Sequence, residues 1–154
     1  MTHVPTSLSK RLGFAFLGLL AGNAILFVFL MTNAIRNAVI LHVARVGAPA
    51  AEITIALEVF LIYAACSFAG WIIVGLPTVL FIPARVLLRF GEMAKIVIGA
   101  ALGPLALFLI FVLLSRGHVS TFARTGVLWI YASVISTAAF WVYVALLKRR
   151  VGRV

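Results

Sequence analysis

Aspartate is missing from this 154-residue chain, glutamate occurs only three times, and there is one cysteine. These absences remove most of the tools of catalysis. No paired carboxylates are available for general acid–base work, and no Asp-rich motif, His-Glu-x-x-His helix or Gly-x-Ser-x-Gly elbow occurs. A glycine-rich phosphate cradle is absent too. His118 and Ser120 lie two residues apart with no acid nearby to orient the imidazole, so they do not read as a nucleophilic pair. His42 has no second ligand close in sequence. The expectation is a protein without catalytic residues, metal or cofactor. A single cysteine forms no intramolecular disulfide, so cysteine usage does not report the compartment.

What the chain has instead is hydrocarbon: 65% of its residues are hydrophobic and only 10% charged, a balance no soluble domain of this size carries. Four apolar segments, over about residues 12–32, 53–76, 96–114 and 127–147, reach the ~20 residues a helix needs to span a bilayer. The first follows Lys10 and Arg11, as a signal peptide would. Its apolar stretch exceeds the roughly 7–15 residues of such a segment, and it reads as a retained helix. The sequence therefore predicts an all-α integral membrane four-helix bundle forming a single domain over 1–154.

The net charge of +10 would suggest nucleic acid in a soluble protein, but here topology accounts for it. Lys10, Arg11, Arg85, Arg89, Lys95, Lys148, Arg149, Arg150 and Arg153 fall at one face of the predicted bundle, and Arg36, Arg45, Arg116 and Arg124 at the other. The positive-inside rule then makes both termini cytoplasmic. Arginine outnumbers lysine ten to three, which suits a GC-rich bacterial genome and an inner membrane.

Two further segments read as short helices lying in the interface. Over residues 34–46, Ile35, Val39, Val43 and Val46 form one stripe, with Gly47 and Pro49 beyond as stop signals. Over residues 84–95, following Pro83, the spacing of Arg85, Arg89, Glu92 and Lys95 places all four on one helical face. That face predicts contact with anionic lipid headgroups, or with a partner protein. Trp71 near the end of the second span reads as reaching the headgroups. Trp129 with Tyr131, and Trp141 with Tyr143, read as aromatic belts at the two ends of the fourth.

Small residues set the packing. Gly18 and Gly22 on the first span, and Gly99 and Gly103 on the third, allow close approach of a neighbouring backbone. Packing within the bundle is the simpler reading, and a homodimer seam the alternative. The stretches beginning at Gly18 and Gly99 also align without gaps; chance and shared membrane composition are the simpler reading, because the second and fourth spans do not align well at the same offset, and a two-plus-two duplication the alternative. Pro104 frees a carbonyl near residue 100, which must find another donor.

Glu58 is the one acidic residue within an apolar segment. In a span from residue 53 it lies inside hydrocarbon, where an ionisable group marks a functional site; in a span starting after it, it lies at the boundary. Asn23 and Thr54 are its candidate neighbours in an ion-coupling site. The expected function is a non-enzymatic accessory, assembly or interaction subunit, as a homo-oligomer or within a larger membrane complex. The alternative is a small proton- or cation-coupled transporter that uses Glu58 in an oligomer.

Overall fold

The computed structural model describes residues 7–44, 49–114 and 126–151, and among these there is no β-strand. The helices are α1 (Leu8–Ala44), α2 (Pro49–Gly70), a π-helical turn (Trp71–Gly75), α3 (Leu76–Phe81), α4 (Ala84–Arg89), α5 (Glu92–Leu114) and α6 (Gly126–Val151). Among the described residues, four helical paths are long and apolar enough to cross a membrane: Leu8–Ala44, Ala50–Phe81, Glu92–Val112 and Leu128–Arg149. No more than 28% of the most apolar window of any of them is buried within the protein. Leu17, Leu20, Val28, Phe29, Leu61 and Ile62 all point outward. Apolar surface this extensive is stable only against lipid, and the chain is a multi-pass membrane protein.

The helices run up, down, up and down, with α6 between α1 and α5. Gly18 and Gly22 of α1 lie against the backbone at Ala139 and Ile135. α6 also meets Gly99 at Thr137 and Gly103 at Ala132, on an adjoining part of its surface. A Cβ on any of the four would collide with α6, so each glycine is what allows its helix to sit at that depth. These faces are thus used inside a single chain, and the homodimer seam is not needed to explain them. The duplication fares no better. Related pairs would set one glycine face on α2 and the other on α6, yet both lie on α6.

Serines complete the α5–α6 contact. Pro104 lies within α5 and cannot donate to the carbonyl of Ala100. The Ser133 hydroxyl donates to that oxygen at 3.0 Å, and Ser136 donates to the carbonyl of Gly99 at 2.5 Å. Pro77 has a similar consequence in the second path. Without an N–H at Pro77, the backbone widens ahead of it, and the amide of Leu76 bonds to the carbonyl of Trp71, five residues back.

Both expected interfacial helices are corrected. Residues 34–44 are not a separate element: they continue α1, which runs unbroken for 37 residues, about 55 Å. No glycine or proline interrupts this stretch, and the Asn33 amide donates to the Phe29 carbonyl one turn back, so nothing ends the helix at the bilayer edge. Residues 45–48, which hold Val46 and Gly47 of the predicted stripe and stop, lie outside the described residues.

Residues 84–95, by contrast, are split. Phe90 has the extended angles φ −63° and ψ 137°, which end α4, and α5 starts at Glu92 with the amide of Lys95 bonded to the carbonyl of Gly91. The reason lies in Leu87, which is 1% exposed and packs in a core with Ala15, Val79, Tyr143, Val144 and Leu147. α4 must fold back beneath the bundle to bury Leu87, while α5 must rise alongside α6. One straight helix cannot do both, and the break falls at Phe90, next to Gly91, a poor helix former.

Candidate functional site

The structure does not assemble the ion-coupling site expected around Glu58. Asn23 is held elsewhere: its amide donates to the Leu19 carbonyl at 2.9 Å, and its Oδ1 accepts from the Ser67 hydroxyl at 2.9 Å. Ser67 is nine residues beyond Glu58 on α2, about 13 Å along the helix. Thr54 lies still further from Asn23, and its hydroxyl donates to the Ala50 carbonyl of its own helix. Both Glu58 and Thr54 are exposed, so neither faces the interior of the bundle.

The α1–α2 register is set by Asn23 with Ser67, Phe27 with Phe60, and Asn37 with Glu52. Counted from Arg11, the ~30 Å of hydrocarbon is used up by about residue 31 of α1. Glu58 is level with that point. It lies within the apolar path Ala50–Phe81, on an exposed face of α2.

Asn23 and Ser67 instead form a polar link between α1 and α2. Interhelical hydrogen bonds of this kind couple by ~0.6 kcal/mol on average and at most ~1.7 kcal/mol. In a double-mutant cycle with Asn23→Leu and Ser67→Ala, read by unfolding in mild detergent, a coupling of about 1 kcal/mol is expected. A coupling of zero would remove the link.

The four-residue face predicted over 84–95 is also divided. Arg89 ends α4, while Glu92 and Lys95 open α5 and pair with each other at 2.9 Å. Lys95 is only 6% exposed, in a recess of about 160 Å³ shared with Trp141 and Lys148. The side chain of Arg85 lies outside the described residues. With Lys10, Arg11, Lys148 and Arg149 at the neighbouring helix ends, these groups still make one end of the bundle basic. Arg11 reaches across that end and donates from Nη2 to the Ile82 carbonyl at 2.5 Å.

The feature that sequence reasoning missed lies in the middle. All four helical paths border a cavity of about 120 Å³, walled by small residues such as Ala15, Gly70, Gly103, Ala132 and Ala139. Trp71 and Tyr143 also line it. Both were expected in aromatic belts, yet the Trp71 Nε1 and the Tyr143 hydroxyl are buried and find no hydrogen-bond partner among the described residues. The indole is fixed by an edge contact with Phe16 and by Gly75 one turn on, where a Cβ would meet the ring at 2.8 Å. A signal for Tyr143 was present in its spacing from Trp141. Residues two apart on a helix face nearly opposite ways, and Trp141 is 55% exposed where Tyr143 is 3%.

Comparison with protein-family models, curated proteins and solved structures finds no match. No metal-ligating cluster of three or more His, Cys, Asp or Glu side chains occurs among the described residues.

Proposed function

We propose that this chain is a non-enzymatic accessory or interaction subunit of a bacterial inner-membrane complex, with both termini cytoplasmic. The observation that carries the reading is the overhang of α1 beyond the bundle. The antiparallel α1–α6 register, with Gly22 opposite Ile135, brings the start of α6 at Gly126 level with about residue 31 of α1. The remaining turns of α1 pair with the start of α2 and present Ile35, Val39, Ile40 and Val43, the last 77% exposed. An aliphatic stripe past the end of a spanning segment offers a surface for an apolar helix of another subunit. The basic end opposite would keep the subunit oriented and in contact with anionic headgroups.

The test is the mass and composition of the complex purified from native membranes in mild detergent through a C-terminal tag. A stoichiometric foreign subunit is expected. The double variant Val39→Lys/Val43→Lys should lower its recovery at least tenfold while leaving the unfolding temperature of the chain unchanged, because neither side chain packs within the bundle. Glu58→Gln serves as the control and should leave recovery intact. A homo-oligomer that carries protons or cations in vesicles, and loses that flux on Glu58→Gln, would replace this reading with the transport one.

A further inference from the structure

At the basic end of the bundle, the recess between α5 and α6 holds more positive than negative charge. Lys95 lies deep in it, buried beside Val144, while Glu92 and Lys148 are exposed and stand nearer its mouth, with Trp141 alongside. All of them converge on one group. The Glu92 carboxylate bonds the Lys95 ammonium at 2.9 Å, lies beside the Trp141 indole, and is close enough to Lys148 to feel its charge. One carboxylate thus serves two ammonium groups, and the recess keeps an excess of one positive charge. An ammonium has three protons to donate, and among the described residues Glu92 is the acceptor found for those of Lys95. Where water is scarce, both the spare protons and the spare charge favour an anion.

The shape of the recess narrows the class. Trp141, Ala145 and Lys148 recur at i, i+4 and i+7 on one stripe of α6, and the small side chain of Ala145 in the middle leaves the space. A cavity of about 150 Å³ admits benzene, so about 160 Å³ admits a phosphate, which has one heavy atom fewer. Beside the mouth the surface turns apolar: Trp141 is exposed, and so is Ile96, one turn from Glu92 on the same face of α5. A soluble phosphate gains nothing from such surface, whereas acyl chains cover it. We propose that the recess is a binding site for the phosphate of a lipid with one net negative charge, held by Lys95 and Lys148, with its tails against Trp141 and Ile96. The proposal rests on one part of the function argued above, the contact of the basic end with headgroups, and not on the overhang of α1.

Mass spectrometry of the intact chain in mild detergent, titrated with lipid, counts the bound molecules and gives the Kd of the first. Phosphatidylglycerol should bind roughly 10-fold tighter than phosphatidylethanolamine with the same tails. Lys148→Met should weaken phosphatidylglycerol about 5-fold, the effect of one basic group at the headgroups. Lys10→Met removes the same charge from the same end, outside the recess, and should change the Kd by less than about 2-fold. Ala145→Leu keeps every charge but fills the recess, and should abolish the first binding event. Glu92→Gln removes the competing carboxylate and should tighten phosphatidylglycerol, whereas a site for the ammonium of phosphatidylethanolamine would lose affinity. Equal losses in Lys148→Met and Lys10→Met would show a general attraction without a site. That result would overturn the proposal and leave the accessory reading standing, since recovery of a foreign subunit is read separately. Equal affinity for the two lipids, or binding that survives Ala145→Leu, would also overturn it. Glycerophosphoglycerol, the same head without tails, should not compete in excess; displacement by it would assign the recess to a soluble phosphate instead.

Discussion

Gly103→Ala should destabilise the bundle by about 3 kcal/mol, the upper part of the range for overpacking, because the clash is with backbone. The added methyl would meet the carbonyl of Ala132 and lie 2.6 Å from the Ser136 hydroxyl oxygen. Neither can yield. The carbonyl belongs to a continuous helix, and the hydroxyl is already bonded to Gly99. Gly18→Ala meets the carbonyl of Ala139, two turns further along α6, and should cost a similar amount. Ala132 and Ala139 are seven residues apart, about 10 Å along α6, so the two effects should add. Gly13→Ala on the same α1 should have the opposite sign. A Cβ there meets nothing within 4 Å, and replacing a helical glycine with alanine gains ~0.5–1 kcal/mol. Unfolding midpoints in mild detergent check all three. Equal effects at Gly13 and Gly18 would show that helix propensity, not contact with α6, sets the requirement for glycine.

Leu87→Ala has the second largest expected effect, about 3 kcal/mol, within the usual cost of truncating a buried leucine. Leu87 is 1% exposed and shares a core with Val144 and Leu147, against which Ala84 and Leu88 pack only in part, so its loss should release the short helix before it unfolds the bundle. Arg89 at the end of α4 then becomes a sensitive reporter. If opening is fast relative to cleavage, about 3 kcal/mol raises tryptic cutting there roughly 100-fold. Val86→Ala, one residue away and exposed, should change cleavage little. Cleavage that rises equally in both variants would mean that α4 is not docked through Leu87.

The spanning paths were legible in the sequence because lipid makes the problem local. In hydrocarbon every backbone N–H and C=O must be satisfied within its own segment, so an apolar run of about 20 residues is already a helix, whatever its neighbours do. The glycine faces were legible for a related reason: a residue without a side chain, repeated one turn on, has little use except close approach. The oxygen freed by Pro104 could be foreseen near residue 100 from covalent chemistry alone, though not that Ser133 would reach it.

What tertiary structure decided is which groups meet. Asn23 could have turned towards Glu58 or towards Ser67, and only the antiparallel register of α1 and α2 selects Ser67. The 84–95 segment has a continuous amphipathic pattern, yet it breaks at Phe90 because burying Leu87 outweighs completing one helix. Trp71 and Tyr143 carry the composition of a membrane belt, yet both border the half-open cavity among the four paths. Apolar residues surround these helices on every side, so a one-dimensional pattern fixes that a segment spans and leaves open which face turns inward. That choice is made when four helices pack at once, and it depends on contacts between residues as distant in sequence as Gly18 and Ala139.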